Sequence, residues 1–369
     1  MAVKELQRQI NPKYKVSGSL AFFLICSIQI GVGVLGFQTS IVERVGNDSW
    51  IPVLLAGLMI HFLIWMIYKI LKFGNGDLIT IHYDVFGRWI GGLFSFVWII
   101  YFWTIGVIVL RTYLQVIQVW MFQEINIIVV TLIFSLLLYY LITGGFRVVV
   151  GVCFLGTVIP SYLIFSLFYT MDYTNFKRLL PVWNHSTTDI LLATQEMTFS
   201  FIGFTVLLMY YPYLKKANKT KLWGHGGNFL TLCLYIIIMV FSLAYYTKGH
   251  LLRQKWPTLT MWKSIELPFV ERFEYIGISS WALIILPNIC LAFWAASRGA
   301  RQLFRFSQRK ALIIMLSLNL LANYLIKTQK EIETINKLLS QFAFYLFLIY
   351  IPFLFIFSYL RLGRRKQHD

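Results

Sequence analysis

Long apolar runs, separated by short polar or basic segments, follow one another along almost the whole chain. Runs of about 18 or more apolar residues are typical of transmembrane helices, whereas the strands of a membrane barrel alternate polar and apolar positions over about 10 residues. The pattern therefore predicts an all-α membrane protein with ten transmembrane helices. The predicted spans cover approximately residues 17–40, 50–71, 90–119, 125–143, 148–170, 189–211, 226–247, 273–296, 310–327 and 338–360.

These spans form one predicted membrane domain, residues 17–360, between a cytoplasmic N-terminal tail, 1–16, and a basic C-terminal tail, 361–369. The first half, 17–170, and the second half, 189–360, hold five spans each. Because five is an odd number, the two halves enter the membrane from opposite sides. A 5+5 inverted repeat is typical of secondary transporters with a LeuT-like fold, in which the first helix of each half is broken near the middle of the bilayer.

Glycines interrupt the first span of each half at corresponding places. Span one carries the stretch "QIGVGVLGFQ", with Gly31, Gly33 and Gly36, and span six carries "TFSFIGFT", with Ser200 and Gly203. A glycine inside a helix costs about 1 kcal/mol relative to alanine. A break frees amide groups that suit a carboxylate and carbonyl groups that suit an ammonium group or a cation. Close packing of helices is the alternative explanation, and both can hold at once.

Composition and charge support a membrane protein and argue against a nucleic-acid partner. The 369 residues are 58% hydrophobic and 13% charged, against roughly 25% charged in an ordinary soluble domain. Roughly two thirds of the 33 lysine and arginine residues lie on the side of the N-terminus, which predicts that both termini are cytoplasmic. The net charge of +18 then reflects topology and contact with anionic lipid, so no nucleic-acid partner is expected. The basic stretch at 297–310 is predicted to lie along the membrane surface.

Several kinds of feature are missing from the sequence. The N-terminal residues "MAVKELQRQINPKYK" are not expected to form a cleavable signal peptide, because no small-residue cleavage site follows the first apolar run. The cysteines, Cys26, Cys153, Cys233 and Cys290, lie in apolar runs without metal-ligand spacing, so no disulfide, metal or other cofactor is expected. No nucleotide-binding loop or catalytic triad is recognisable, so no catalytic residue and no enzymatic activity are predicted.

Several motifs, in order along nearly the whole chain, resemble those of one family. The stretch "WPTLTMWKSIELPFVERFEY", Trp256 to Tyr275, resembles the segment before span eight in the B subunits of GerA-family germinant receptors of endospore-forming bacteria. The chain departs from the family pattern at Thr205, where many members carry glutamate, and at Phe37 and Gln38, where many carry a proline. The other similar motifs are "VGVLGFQ" in span one, "FGRWIGG" before span three, Arg111 in span three, "TGGFR" after span four, "LLPVW" after span five and "SFIGF" in span six.

This resemblance implies a function and partners. Members of the family are permease-like proteins of the amino acid–polyamine–organocation superfamily that act with an A subunit and a lipoprotein C subunit in the spore inner membrane. They recognise nutrients such as L-amino acids or sugars and trigger germination. By resemblance, the chain is expected to be a receptor subunit for a small nutrient, with an amino acid favoured. The alternatives are a proton- or cation-coupled amino acid permease with true flux, a water or ion conduit, and a scaffold with a vestigial pocket.

The predicted ligand site lies at the broken centres of spans one and six. Amides near Gly31 and Gly33 are expected to hold a carboxylate, and carbonyls around Ser200 to Gly203 are expected to hold an amine. Side chains of spans three and eight are expected to close the pocket, although packing is the alternative role for the aromatic ones. The predicted ligand-binding residues are Gly31, Gly33, Gly36, Tyr101, Ser200, Gly203, Phe204, Thr205 and Asn288.

Charged residues in and beside the spans form a second candidate group. An ionisable side chain within a span is costly and is usually functional or paired. Arg111 lies in span three and Glu196 in span six, and we predict that Arg111 pairs with Glu196 or with acidic residues before span eight. A ligand or ion role is the alternative for Glu196. Glu271 and Arg272 open span eight, where helix capping and a gating or inter-subunit contact are the competing roles.

Overall fold

The structure is a computed structural model that describes residues 10–74, 76–266, 268 and 270–363. Residues 1–9 and 364–369 of the predicted tails lie outside this part of the chain. Within the described ranges the chain folds into ten helical spans, α1 to α10, of which α1 and α6 are broken. In chain order they are α1a Gly18–Gln29 and α1b Phe37–Val45, α2 Trp50–Gly74, α3 Leu78–Trp120, α4 Ile127–Thr143, α5 Phe146–Tyr173, α6a Thr187–Glu196 and α6b 204–213, α7 Lys221–Tyr245, α8 Phe273–Phe304, α9 Gln308–Leu325 and α10 Gln329–Gly363.

Length and composition make this an integral membrane protein. Six stretches of the described chain are long and apolar enough to cross a bilayer by themselves, and they correspond to α1b with α2, α3, α5, α7, α8 and α10. The helices α1a and α4 are apolar but shorter. With five spans in each half and a break in the first span of each, the predicted fold class is confirmed.

Polar residues explain where several helices begin. Asp77, Asn126, Ser186, Ser307 and Thr328 precede α3, α4, α6a, α9 and α10, and each accepts a hydrogen bond from a main-chain amide of the first turn. The first amides of a helix have no partner within the helix, so a side-chain oxygen at this position stabilises the start by about 1 kcal/mol. The helix boundaries therefore follow local sequence at these five places.

Helices α3 and α8 make the most extensive contact between two spans. Helix α8 continues as one helix to Phe304, through the basic stretch that the sequence predicts to be a separate surface helix, so that prediction is wrong. The physical reason is that one face of this stretch is small and buried, with Ser297, Gly299 and Ala300 packed inside the protein. Arg301, Arg305 and Arg309 of the stretch are exposed, whereas Arg298 is partly buried, with its guanidinium carbon 5.6 Å from the centre of the Tyr213 ring.

The two sides of the membrane domain differ. On the side where α1a begins, which we term the N-terminal side, the Val16 amide donates to the Tyr213 carbonyl at 2.9 Å, and the Lys215 amide donates to the Val16 carbonyl at 2.8 Å. This bridge ties the segment before α1a to the end of α6b. On the opposite side, the short helix Pro257–Lys263, which we term the loop helix, packs against the break in α1.

Candidate functional site

Helix α1 is broken where the sequence places its three glycines. Helix α1a ends at Gln29, and Ile30 is already extended, with φ −87° and ψ 99°. Gly31 follows with φ −144° and ψ −151°, and a short 3-10 turn covers Val32–Leu35 before α1b begins at Phe37. The predicted break in the first span is confirmed.

Helix α6 is broken at the matching position in the second half. Helix α6a ends at Glu196, and irregular turns lead to Gly203, which has φ 106° and ψ −23°. A backbone of this kind favours glycine because any side chain there is strained. A Cβ atom at Gly203 would also lie 2.7 Å from Ile28 Cγ1, so this glycine lets α6 approach α1a closely.

A polar cavity of about 650 Å³, which we term the vestibule, opens beside the two breaks on the side opposite the N-terminal side. Its wall is built from α1b, α3, α6a, α10 and the residues before the loop helix. Three of the predicted ligand-binding residues, Gly33, Gly36 and Ser200, line it. Its charged residues are Glu43, Arg44, Glu196, Lys255, Glu333 and Lys337.

The break in α1 supplies hydrogen-bond donors at the vestibule. The main-chain amides of Gly31, Val32 and Gly33 donate to no acceptor among the described residues. Val32 and Gly33 also line the vestibule. Amides at membrane depth are costly unless a ligand, water or a protein group satisfies them. The break therefore offers donors of the kind that a carboxylate needs.

The carbonyl groups at the breaks are partly occupied by a tyrosine of α7. The Tyr235 hydroxyl lies 2.9 Å from the Ser200 carbonyl oxygen and 3.2 Å from the Gln29 carbonyl oxygen. A hydroxyl group has one hydrogen and donates it to one acceptor at a time. The Ser200 carbonyl, predicted to hold an amine, therefore offers a ligand only its second lone pair.

Asn288 of α8 acts on the other carbonyls of the α1 break. Its Nδ2 atom, which carries two hydrogens, lies 2.7 Å from the carbonyl oxygen of Ser27, 3.0 Å from that of Ile30 and 2.9 Å from that of Ile284. The side chain is buried and joins α1a to α8. The structure thus places Asn288 as a link between helices, and it does not line the vestibule.

The remaining predicted ligand-binding residues are buried in the protein. Phe204 packs against Phe347, with ring centroids 4.8 Å apart. Tyr101 and Thr205 are neighbours in the core, and both side chains are buried. Together with Gly31, Gly203 and Asn288, these residues form the protein interior next to the vestibule.

The predicted ion pairs of Arg111 are wrong. Arg111 donates from Nε to the Ile326 carbonyl at 2.9 Å and from Nη2 to the Lys327 carbonyl at 3.2 Å. These carbonyls lie at the C-terminal end of α9, where the helix dipole favours a cation. Glu196 instead lies 3.8 Å from Arg44 of α1b, at the vestibule. The buried guanidinium of Arg111 therefore holds the α9–α10 turn.

The other two predicted gating residues lie at the start of α8. Arg272 donates to Glu274 at 2.9 Å, and its guanidinium carbon lies 3.9 Å from the centre of the Tyr275 ring. The Glu274 carboxylate is buried, whereas Glu271 is exposed. These contacts make Arg272 a local partner for the first turn of α8, and a gating role for either residue stays a prediction.

Sequence reasoning missed a charged contact across the mouth of the vestibule. Lys255, just before the loop helix, lies 2.9 Å from Glu333 of α10 and 3.5 Å from the Gln115 side chain of α3. Its ammonium group also sits 4.7 Å from the centre of the Trp256 ring. This contact joins three elements of the vestibule wall. The "WPT" motif marks the place in the sequence, but nothing local indicates Glu333 as the partner.

The loop helix is tied directly to the break in α1. The Thr258 hydroxyl donates to the Val34 carbonyl at 2.9 Å and accepts a hydrogen bond from Gln38 Nε2 at 2.8 Å. The Gln38 amide nitrogen also lies 3.2 Å from the Ser242 hydroxyl of α7. The Trp-Pro-Thr motif thus couples the vestibule mouth to the broken backbone of α1.

A buried carboxylate organises the loop that leads into α6a. Asp48, in the turn after α1b, accepts hydrogen bonds from the amides of Trp183, Asn184 and His185 at 2.6, 2.7 and 3.1 Å, and contacts His185 Nδ1 at 2.9 Å. Burial raises the pKa of the carboxyl group, but the hydrogen bonds outweigh burial and hold the pKa of Asp48 below its usual value. Asp48 therefore fixes α6a relative to α1b.

Asp48→Asn is expected to lower the free energy of unfolding by about 1–3 kcal/mol at neutral pH, because acceptors for several amides are lost. A lowered pKa in the folded state gives stability that is present above the unfolded pKa, near 3.9, and is lost as the pH falls through the folded pKa. Thermal unfolding of the purified protein from about pH 3 to pH 8 measures both effects. In acid the wild type should lose the stability that the ionised Asp48 carboxylate contributes, whereas Asp48→Asn has no such contribution to lose.

The matched control is Asp189→Asn in the same loop region. Asp189 is partly exposed, whereas Asp48 is fully buried, and it accepts one side-chain hydrogen bond, from Ser186. Its replacement should change the melting temperature less than that of Asp48. Two results would contradict the role given to the buried carboxylate. One is an equal fall in melting temperature for the two variants, and the other is a melting temperature of Asp48→Asn that falls in acid as steeply as that of the wild type.

The fold resembles that of transporters of known structure. A Na⁺-coupled sialic acid symporter in a substrate-bound outward-open state aligns with a TM-score of 0.65 and 12% sequence identity, covering 94% of this chain and 82% of that chain. MhsT in complex with L-phenylalanine aligns with a TM-score of 0.61 and 11% identity, covering 93% of this chain and 98% of that chain. At these identities the similarity establishes the fold alone.

In sequence, the chain is more similar to spore germination proteins than to these transporters. Spore germination protein GerQB of Bacillus cereus is 40% identical over 359 residues, which is 97% of this chain and 100% of that protein. Residues 15–332 match the spore permease family, described as spore germination protein. Both matches confirm the resemblance inferred from the motifs. The chain therefore belongs to the spore permease family of spore germination proteins.

Proposed function

We propose that the protein is the B subunit of a nutrient germinant receptor that binds a small nutrient, most simply an amino acid, at the floor of the vestibule and signals germination. Membership of the family implies a complex with other subunits. We assign these as an A subunit and a lipoprotein C subunit in the spore inner membrane. We also propose that a single membrane domain, 17–360, lies between two tails on the core side.

The observation that carries this proposal is the set of unpaired amides at an open polar cavity. The amides of Val32 and Gly33 have no partner among the described residues, and both residues line the vestibule. A Cβ atom built on Gly33 would lie 3.2 Å from Ser200 Oγ, so the two breaks meet at this point. A carboxylate at Gly33 would accept hydrogen bonds that a continuous helix cannot give.

The charges of the vestibule fit a ligand that carries both signs. Its wall has three acidic and three basic side chains, and two pairs are formed, Arg44 with Glu196 and Lys255 with Glu333. These side chains are partly exposed, so each surface pair contributes little stability. They are therefore free to exchange partners with a zwitterion.

A signal requires that ligand binding favours one arrangement of helices over another. The parts that surround the vestibule are connected to the break, because Thr258 binds the Val34 carbonyl and Lys255 binds Glu333 of α10. A ligand that engages the Gly33 amide would bias the positions of α1b, the loop helix and α10 together. Partner subunits in contact with these elements would receive the shift.

A permease with true flux is the second candidate function. The fold is that of symporters, and MhsT was solved with L-phenylalanine bound. The vestibule opens on one side while a backbone bridge holds the other, as expected for either a sensor or one state of an alternating-access cycle.

The deciding experiment uses the complete receptor complex, purified and reconstituted in proteoliposomes. The proteinogenic L-amino acids are screened by thermal stabilisation and then by direct binding and uptake of the radiolabelled hit. Saturable binding without ligand-dependent uptake supports the receptor. Uptake supports the permease, and failure of the intact complex to bind any amino acid that triggers the spores would refute the proposed site.

A further inference from the structure

Three main-chain carbonyl groups converge on one buried nitrogen atom where α1a ends. The Nδ2 atom of Asn288 lies 2.7 Å from the Ser27 oxygen, 3.0 Å from the Ile30 oxygen and 2.9 Å from the Ile284 oxygen. Asn288 is 2% exposed, so water does not share this centre to any large extent. None of these four residues lines the vestibule.

This geometry offers more acceptor capacity than a neutral amide uses. A side-chain NH₂ group has two hydrogens, whereas three carbonyl oxygens face it. The carbonyls of Ser27 and Ile30 stand at the C-terminal end of α1a, where the helix carries partial negative charge. Unwound carbonyls and half-helix C-terminal ends are the groups that bind a monovalent cation in broken-helix transporters.

The orientation of the amide is fixed by its surroundings. A Cβ atom on Gly31 would lie 2.8 Å from Asn288 Oδ1, so the absence of a side chain at Gly31 makes room for the amide oxygen. The opposite orientation would set Oδ1 against three carbonyl oxygens and would be repulsive. The nitrogen therefore occupies the centre of the carbonyl set.

The centre would be lined by oxygen atoms if the amide nitrogen were removed, because three carbonyl groups face it. Oxygen ligands are those that hard cations prefer.

We infer that the amide nitrogen of Asn288 occupies a latent monovalent-cation site between α1a and α8, so that this protein holds the two helices together without Na⁺. The inference concerns the fold and does not depend on the identity of the ligand. The structural neighbour in which Na⁺ coupling is stated, the sialic acid symporter, shares the fold at 12% identity. In this chain a side chain takes the place that a coupling ion would need.

The first test uses the wild-type protein. Its melting temperature is measured in about 0.15 M sodium, potassium and choline chloride, so that ionic strength is constant. Equal melting temperatures, within about 1 °C, are expected because the carbonyls already have a donor. A saturable rise that is specific to Na⁺ would overturn the inference.

The second test opens the site. Asn288→Asp removes the NH₂ group and adds a carboxylate oxygen, and the variant is expected to be less stable in choline than the wild type. Na⁺ should raise its melting temperature by about 5 °C relative to choline. The matched control is Asn228→Asp, because buried Asn228 donates to a single carbonyl, that of Gly57, at 3.1 Å.

The control is expected to lose stability without a specific response to Na⁺. The same melting temperature for Asn288→Asp in Na⁺ and choline, or an equal Na⁺ response in Asn228→Asp, would overturn the inference. If Asn288→Asp cannot be purified, Asn288→Ser supplies a hydroxyl oxygen without a charge and is subject to the same criterion. The wild-type measurement decides independently of both variants.

Discussion

Gly203→Ala is expected to lower the free energy of unfolding by about 2–6 kcal/mol and to remove most of the protein from the membrane. The backbone of Gly203 has φ 106°, where a side chain is strained. The added Cβ atom would in addition lie 2.7 Å from Ile28 Cγ1 and 3.3 Å from the Ile28 carbonyl oxygen. Protein abundance in spore membranes and thermal unfolding of the purified protein measure the loss.

The matched control separates backbone strain from packing. Gly145, before α5, has φ 94°, and no described atom lies within 4 Å of an added Cβ atom. Gly145→Ala should therefore show the strain alone, about 1–3 kcal/mol. The difference between the losses in free energy of unfolding of the two variants measures the contribution of the contact between α6 and α1a. Equal losses would show that this close approach contributes no stability.

The large features of this fold are predictable because the membrane allows few solutions. Backbone groups in a bilayer must be satisfied within the protein, so long apolar runs become helices. Glycines in the middle of such runs, as at Gly31 and Gly203, are costly unless the helix breaks or packs closely. At Gly203 both explanations hold, since the helix is broken and the glycine touches Ile28.

Side-chain partners were much less predictable, because they come from elements far apart in the sequence. Arg111 was predicted to pair with an acid, but its guanidinium is satisfied by carbonyls at the end of α9. No local pattern marks those carbonyls, since every helix has such an end. The prediction of a surface helix for the basic stretch is wrong for a similar reason, because small residues packed against α3 keep residues 297–304 within α8.

The role of Asn288 shows how sequence reasoning can select the right residue for an incomplete reason. The sequence prediction places this polar residue of span eight in the ligand pocket. In the structure its nitrogen binds the carbonyls of Ser27 and Ile30. The amides of Val32 and Gly33 are therefore free at the vestibule, whereas the carbonyls of the break already have donors from α7, α8, the loop helix and the 3-10 turn itself.

Gly33→Val is expected to weaken the response to the nutrient by about 100-fold or more, equivalent to about 2.7 kcal/mol of binding free energy. A Cβ atom at Gly33 would lie 3.1 Å from Ser200 Cα, 3.2 Å from Ser200 Oγ and 3.4 Å from the Tyr235 hydroxyl. The valine methyl groups would thus fill the junction of the two breaks, where the unpaired amides meet the vestibule. Germination of spores across nutrient concentrations, together with binding to the purified complex, measures the effect.

The control is Gly151→Val in α5, where no atom of the described chain lies within 4 Å of an added Cβ atom. Valine has a higher helix propensity than glycine, so the replacement does not weaken α5. This variant should therefore assemble and respond normally. Abundance is measured for both variants, and binding is expressed per folded complex, so that a loss of assembly is not counted as a loss of affinity. If Gly33→Val binds as tightly as Gly151→Val, the ligand does not use the floor of the vestibule, and the free amides of α1 must serve another group.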